Sequence, residues 1–412
     1  MEKVYDYGII GSGPAGFTAA LLAAGKGFSV VLFEKDKIGG VCLNKGCIPT
    51  KTIMHTADLY REVTHAENIG ILSNDIQLDF SKLMERKNKV VETLRNALTK
   101  SLQAKGVNII EEEARVTDDN TIEAGNQNYT CQKIIAATGS EAKSLKGFEF
   151  DHEFILNSDD LFELKQKPEN ILIVGAGAEG IEWSRIFNDM NCNVTIIDAA
   201  PRILPVADEE ISKYVERMFK MRKITLKTSV TIEKIENKTV TLSDGEVLNP
   251  DMVLVAIGRN PIKPELNGKA TVIGDACGQL MLANFAMYQA RALVSGINFD
   301  NIFVPSVIYG MPEIAWIGAN EQDLPAGSYN KSVYPIRALG KAHCDSEIEG
   351  FIKVLTYENK IIGAHIISKE ASALIHQFAI AMQNEIDVND LKKVCFAHPT
   401  YSEGVYESIL GL

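Results

Sequence analysis

The chain has 412 residues, 46% hydrophobic and 23% charged, and its 54 acidic against 42 basic side chains give a net charge of −12. This composition excludes disordered, collagenous and fibrous classes and, at about 150 residues per domain, predicts two or three domains. So negative a surface repels phosphate backbones and anionic lipid, and no apolar run reaches the roughly 18 residues of a membrane helix, so neither nucleic acid nor membrane is an expected partner.

The N-terminus, Met1-Glu2-Lys3-Val4-Tyr5-Asp6, enters a strand pattern directly and lacks a signal-peptide design. The apolar run Tyr7-Gly8-Ile9-Ile10 leads into Gly11-Ser12-Gly13-Pro14-Ala15-Gly16, then an alanine-rich helix, then Val30-Val31-Leu32-Phe33 and Glu34. Strand, glycine turn, helix, strand and acid make up the dinucleotide-binding βαβ unit. Gly11 permits the tight turn, and Gly13 lets the backbone approach a pyrophosphate at the helix N-terminus. Gly16 lets helix and strand pack closely, and Glu34 offers an acceptor to adenosine ribose hydroxyls.

Directly after this unit comes Gly39-Gly40-Val41-Cys42-Leu43-Asn44-Lys45-Gly46-Cys47-Ile48-Pro49-Thr50-Lys51. Two cysteines five apart beside a dinucleotide unit fit a dithiol–disulfide couple next to a flavin. Two unrelated thiols or half a metal site are the alternatives, but metal sites favour closer spacing and further ligands, so no metal is expected. Five residues of regular helix rise about 7.5 Å, beyond the roughly 7 Å Cα separation a disulfide tolerates. The segment must therefore break, with Gly46 and Pro49 as the suitable residues. The other cysteines, Cys131, Cys192, Cys277, Cys344 and Cys395, have no partner by spacing. Seven cysteines in a long chain point to the cytoplasm, where paired thiols are reactive rather than structural.

From Ser81 to Lys105, Leu83, Val90, Val91, Leu94, Leu98 and Leu102 recur at helical spacing, with Lys and Glu on the other face, predicting a solvated amphipathic helix without chemistry of its own. Ile134-Ile135-Ala136-Ala137-Thr138-Gly139 is a short strand that can rejoin the first sheet. Polar residues around Lys165 to Asn170, with Pro168, mark a boundary. The dinucleotide pattern then repeats: Ile171-Leu172-Ile173-Val174, Gly175-Ala176-Gly177-Ala178-Glu179-Gly180, a helix, and Val194-Thr195-Ile196-Ile197 ending at Asp198. Gly175, Gly177 and Gly180 take the roles of the first three glycines, and Val253-Leu254-Val255-Ala256-Ile257-Gly258 closes the second copy. Two copies imply two dinucleotides. An acid at Asp198 suits a free ribose 2′-hydroxyl and repels a 2′-phosphate, and one Arg202 beyond a proline makes no phosphate clamp, which favours NAD over NADP. From about Asn298, alternating runs at Phe351–Leu355 and Ile361–Ile367 predict an antiparallel sheet, followed by a helix from Ala371 to about Asn384, a loop and the chain end.

The run Cys42 to Lys51 resembles the active-site segment of the dihydrolipoamide dehydrogenase family, flavin-dependent pyridine nucleotide–disulfide oxidoreductases, and the likeness covers nearly the whole chain. Thr271-Val272-Ile273-Gly274-Asp275 resembles the family's second FAD motif, preceded by Ile257-Gly258-Arg259-Asn260-Pro261. Pro312–Gly318 resembles the start of its dimerisation domain, and His398-Pro399-Thr400-Tyr401-Ser402-Glu403 its C-terminal motif. The resemblance implies an α/β fold: two Rossmann-like dinucleotide-binding domains, for FAD (1–150 with 255–297) and NAD (151–254), plus a C-terminal α+β dimerisation domain (298–412). Cys42 would be the interchange thiol and Cys47 the thiol against the flavin. Lys51 would lie near the flavin N5 and pair with Glu182. Thr138, Gly139, Gly258, Gly274 and Asp275 would line cofactor, with Asp275 binding the ribityl chain. His398 would act as general base, oriented by Glu403, toward the other subunit of a homodimer. The implied reaction passes electrons from a dihydrolipoyl group through a Cys42–Cys47 disulfide and FAD to NAD. The partner would be the lipoylated carrier of a 2-oxoacid dehydrogenase or glycine-cleavage system, and the alternative is an NAD(P)H-dependent reductase of another disulfide. Three departures stand out. Only Ile262 to Ala270 separate the Arg259 segment from the second FAD motif, implying a deleted β-structured piece and altered flavin cover. Ala142 and Lys146 replace prolines, predicting a looser domain link. Asn284 replaces a common histidine.

Overall fold

The first apolar run forms strand β1 (Val4–Ile10), and Pro14, which has no N–H to lose, starts helix α1 (Pro14–Gly25). The computed structural model describes residues 3–72, 75–298, 302–310 and 312–412; Met1 and Glu2 of the predicted strand entry lie outside them. The chain divides into two units, Met1–Pro168 with Gly258–Asp300 and Glu169–Ile257 with Asn301–Leu412. Among the described residues no helix is long and apolar enough to cross a membrane.

In the first unit β1 pairs parallel with β2 (Val30–Phe33) on one side, and β2 pairs with β3 (Asn108–Ile110). The hairpin β4 (Ala114–Asp118) and β5 (Thr121–Ala124) leads to β6 (Gln127–Ala136), which returns parallel to the other side of β1 as expected. The order is β3-β2-β1-β6-β5-β4, and Thr271–Val272 adds parallel to β6. Alternate residues feed two cores. Ile9, Leu32 and Ile135 pack with Ala19, Ala20 and Ala290, whereas Val31, Phe33 and Ile134 pack with Val116 and Ile122. The redox segment forms α2 (Gly40–Lys45) and α3 (Cys47–Thr64), and the predicted amphipathic helix is α4 (Phe80–Ala104). The solvated-face reading of α4 needs one correction. Lys87 is only 3% exposed, and its ammonium donates to the Phe162 carbonyl at 2.7 Å. A lysine stem is apolar enough to bury when its head finds a carbonyl.

The short 262–270 segment lies along the free edge of the hairpin. Leu266 bridges Val116 in parallel fashion, and the Asn267 N–H donates to the Val116 carbonyl at 3.1 Å. Lys269 pairs with Asp119 at 2.9 Å. It thereby covers an edge strand that would otherwise present open backbone groups. Ala142, at the expected looser link, lies on a paired strand. Ser140–Ala142 pairs antiparallel with Arg259–Pro261, and the Lys143 N–H donates to the Gly258 carbonyl at 3.0 Å.

In the second unit β7 (Asn170–Val174), α5 (Ala178–Asp189) and β8 (Asn193–Asp198) repeat the βαβ pattern. With β9 (Thr225–Thr228) and β10 (Met252–Val255) they give the parallel order β9-β8-β7-β10, and α6 (Glu209–Met221) crosses between β8 and β9. The same unit carries an antiparallel sheet of β11 (Ser306–Ile308), β12 (Glu313–Gly318), β13 (Asn330–Pro335), β14 (Phe351–Tyr357) and β15 (Lys360–Ser368), ordered β11-β12-β15-β14-β13. Ile352, Val354 and Ile366 pack under α7 (Ala371–Gln383) through Ile375 and Phe378. The chain end is not the expected loop. Ser402–Leu410 forms α8, which buries Val405 and Ile409 in the same core.

Alternation along β14 suggests that Lys353 faces solvent, yet it is 0% exposed. Its ammonium donates to both Asp208 oxygens at 2.9 and 3.0 Å and pairs with Glu210 at 3.3 Å and with Glu321. Asp208 also caps α6 through the Glu210 N–H and accepts from the Glu321 N–H, both at 3.0 Å. Burial opposes its charge, but these donors, the His365 ring and Lys353 hold its carboxyl below the usual range. That lowered carboxyl stabilises the fold above the ordinary carboxylate range, and the stability is lost as pH falls through the folded pKa. Lys353→Met leaves the Asp208 carboxylate buried without its cation, with an expected loss of about 3–5 kcal/mol. Denaturant unfolding measures it, and a loss under about 1 kcal/mol would refute the account.

Candidate active site

The glycines of the two loops meet the same kinds of contact. A Cβ on Gly16 would collide with the Gly11 carbonyl oxygen, and one on Gly180 with the Gly175 carbonyl oxygen. Gly11 has φ +92° and Gly175 φ +107°, and a side chain on either would strike the backbone of the returning strand, at Ala137 and Ala256 respectively. Gly13 and Gly177, the N-caps of α1 and α5, make no side-chain cap bond, and a Cβ on either meets nothing within 4 Å. Each helix therefore presents its first N–H groups to open space, an arrangement that suits a pyrophosphate. The expected acids sit beside these loops. Glu34 accepts from the Ser12 N–H at 2.9 Å and the Ser12 hydroxyl at 2.6 Å, and Asp198 accepts from the Ala176 N–H at 2.7 Å and the Ala200 N–H at 2.7 Å. Glu34 Oε2 takes both Ser12 donors and Oε1 the Asp36 N–H, so Glu34 Oε1 and each Asp198 oxygen keep a lone pair to offer a ribose hydroxyl. Arg202 is turned inward, donating to the Ala207 and Pro205 carbonyls and the Ser212 hydroxyl.

The redox segment is seated on the first loop by contacts that motif reading missed. The Gly39 N–H donates to the Ser12 hydroxyl at 3.0 Å, and Gly40 packs so closely on Gly13 that a Cβ there would stand 2.6 Å from its Cα. Ser12 occupies the variable position of the glycine motif, where pattern matching reads no side chain. The break falls at Gly46, with φ −151° and ψ −111°, which ends α2 and lets α3 restart at Cys47. Pro49 sits inside the first turn of α3, where its missing N–H costs nothing.

Cys42 and Cys47 are free thiols and hydrogen-bonded to one another. The bond to Cys47 pushes the Cys42 thiol far above the ordinary thiol range, burial and the Cys47 charge add to the shift, and the Lys51 ammonium opposes it. Cys47 is the first residue of an 18-residue helix, whose N-terminus favours a thiolate. Arg86 donates to the Thr52 carbonyl and Arg95 to the Asn44 side chain, so α4, expected to be inert, braces both redox helices.

Thr138, Gly139, Gly274 and Asp275 lie in the same unit. The Thr138 hydroxyl donates to the Ile262 carbonyl at 2.6 Å. Gly139 and Gly258 both have positive φ with open space where a Cβ would project. Gly274 has φ +71° and packs against Ala15 of α1, which sets Asp275 near the first glycine loop. Open helix termini, positive-φ glycines and an acid beside each loop fit two dinucleotides.

In the second unit the His398 Nδ1 bonds Glu403 Oε1 at 2.8 Å, and Glu403 Oε2 accepts from the Thr400 N–H at 2.8 Å. The bond to His398, then that from Thr400, lowers the Glu403 carboxyl below its usual range. The imidazole side chain is 77% exposed, with Nδ1 engaged by Glu403. Glu182 lies on α5, where it accepts from the Tyr309 N–H at 3.0 Å.

Comparison with known proteins matches residues 5–290 to the pyridine nucleotide-disulphide oxidoreductase model and residues 304–409 to that family's dimerisation domain. A dihydrolipoyl dehydrogenase of Mycoplasma pneumoniae is 32% identical over 441 residues, covering 97% of this chain and 96% of the relative. The crystal structure of LpdA from Mycobacterium tuberculosis superposes with a TM-score of 0.90 at 23% identity, covering 98% of this chain and 99% of that one. The flavoprotein disulfide reductase RclA of Escherichia coli, in a Cu(II) complex, superposes with a TM-score of 0.86 at 23% identity, covering 99% of each chain. At these identities the two structures speak for the fold alone.

Proposed function

This chain belongs to the pyridine nucleotide-disulphide oxidoreductase family, enzymes that use FAD and NAD(P), and from that premise we propose that it is a dihydrolipoyl dehydrogenase, oxidising dihydrolipoyl groups with NAD as final acceptor. The observation that carries the reading is the Cys42–Cys47 pair, seated on the first glycine loop through Gly39 and Gly40.

The first loop, Glu34, Thr138, Gly139, Gly274 and Asp275 would hold FAD, and the second loop with Asp198 would hold NAD. When bound, FAD supplies the two-electron link between the cysteine pair and the nicotinamide. The chain's own residues carry the thiol chemistry. His398 Nε2 takes a proton from one substrate thiol while Glu403 holds Nδ1. The resulting thiolate attacks Cys42 Sγ of the oxidised pair, the Cys42–Cys47 bond breaks, and Cys47 leaves as thiolate. The second substrate thiol then attacks its partner sulfur in the mixed disulfide, its proton passing to the departing Cys42 sulfur while the first proton stays on His398. The lipoyl disulfide leaves, and the Cys42 sulfur takes up that proton. Two electrons and two protons have left the substrate, and the cysteine pair is reduced. The dimerisation-domain match and the exposed imidazole support a homodimer in which His398 serves the cysteine pair of a second copy. A lipoylated carrier of a 2-oxoacid dehydrogenase or glycine-cleavage system is the partner that fits, and an odd cysteine count in a long chain suits the cytoplasm.

A steady-state assay of NAD reduction with dihydrolipoamide and a dihydrolipoyl carrier domain tests the reading. Turnover confined to other dithiols or disulfides would replace it with the reductase alternative. The inward Arg202 and the Asp198 carboxylate lead to a second expectation. A 2′-phosphate would face the acid while Arg202 is held by the Ala207 and Pro205 carbonyls, so NADP should be used about 10²-fold less efficiently than NAD by kcat/KM. Equal efficiency would contradict the role given to Asp198.

A further inference from the structure

Ser140, which motif reading passes over, is 4% exposed, and its hydroxyl joins two charged groups. It donates to Asp275 Oδ2 at 2.6 Å and accepts from Arg259 Nε at 2.7 Å, while Arg259 Nη2 donates to the Ser140 carbonyl at 2.7 Å. Guanidinium, hydroxyl and carboxylate form one chain inside the first unit. Backbone structure holds each member. Ser140 and Arg259 lie on paired strands, with Ser140 opposite Pro261. The Gly274 N–H, next to Asp275, donates to the buried Gln289 Oε1 at 2.7 Å. The short 262–270 segment ties the Arg259 strand to the Asp275 turn while docked on the hairpin. Asp275 Oδ1 makes no hydrogen bond among the described residues. A hydroxyl that accepts from a cation is a stronger donor to a carboxylate, so the pair orients Asp275 more firmly than a neutral serine alone.

We propose that Ser140 and Arg259 are positioning residues for Asp275, fixing its carboxylate so that Oδ1 is the oxygen offered to a hydroxyl of the flavin's polyol chain. This rests on the reading of Asp275 as a cofactor ligand. Neither residue touches the cofactor in this scheme; each acts through the next.

The test measures the FAD dissociation constant, by flavin fluorescence during apoprotein titration, for Asp275→Asn, Ser140→Ala, Ser140→Thr, Arg259→Gln and the doubles Ser140→Ala/Asp275→Asn and Arg259→Gln/Asp275→Asn. Loss of one charge-assisted hydrogen bond predicts about 10-fold or more weaker binding for Ser140→Ala and Arg259→Gln. Ser140→Thr keeps the hydroxyl on a β-favoured residue and is expected to bind within about threefold of the parent. Each double is expected to bind no more weakly than Asp275→Asn alone, because a residue acting through Asp275 has nothing left to position. A merely structural role would instead give additive losses. Unchanged affinity in Asp275→Asn sinks the ligand reading and the proposal with it. A weakened Asp275→Asn with parent-like Ser140→Ala and Arg259→Gln, or with additive doubles, overturns the positioning role and leaves the ligand reading standing. Should Ser140→Ala fail to fold, the Arg259 cycle decides alone.

Discussion

Cys47→Ser is expected to reduce dihydrolipoamide-dependent NAD reduction by at least about 10³-fold, to the no-enzyme background. The variant should still bind FAD, because Ser12, Gly13 and Glu34 are untouched. A hydroxyl cannot accept or release the electron pair that a sulfur couple exchanges. Cys42→Ser should lose turnover equally, but for a different reason and with a different spectrum. Cys47 heads helix α3, whose N-terminus favours a thiolate, and it is the sulfur read as lying against the flavin. The reduced enzyme's long-wavelength absorption should therefore survive Cys42→Ser and vanish in Cys47→Ser. If the band follows Cys42 instead, the two sulfurs have been assigned the wrong way round. If it survives both changes, the pair has no electronic contact with the flavin.

His398→Gln is expected to lower dithiol turnover by about 10²–10⁴-fold, the range lost with a positioned general base. NADH oxidation by an artificial electron acceptor requires no proton from a thiol and should stay near the parent rate. Residual dithiol turnover should climb as pH rises toward the ordinary thiol range, near about 8.5, since solution thiolate must then replace the missing base. Glu403→Gln should cost less, because it leaves Nε2 in place and removes only the charge behind Nδ1. Equal losses in the artificial-acceptor assay would show that His398 supports the fold and not the proton transfer.

Both dinucleotide loops were legible because their chemistry is written in glycine. At Gly16 and Gly180 any side chain would overlap a carbonyl, so the requirement appears in sequence as a fixed residue at a fixed spacing. The cysteine pair was legible from its fixed spacing beside the first loop, and of the two residues offered for the break, Gly46 makes it while Pro49 sits inside the first turn of α3. Ser140 and Ser12 were not legible. A serine hydroxyl has the same character in a loop, on a surface or between two charges, and only the placement of Asp275, Arg259, Glu34 and Gly39 gives these two a role. Lys353 and Lys87 misled for a related reason. Periodicity assigns a lysine to water, and tertiary structure overrides that when buried acids or a carbonyl meet the ammonium.

The amino-acid sequence by itself determined the repeated βαβ plan, the redox segment with its break, and the histidine–glutamate pair, since each depends on contacts between near neighbours in the chain. Tertiary structure alone decided how the redox helices seat on the first glycine loop, how the 262–270 segment covers the hairpin edge, and which polar side chains are buried. Those outcomes join residues from 27 to 150 positions apart, as in Ser12 to Gly39 and Asp119 to Lys269. No local pattern encodes such a pairing, because its stability comes from burial and hydrogen bonding that exist only once the sheet has assembled.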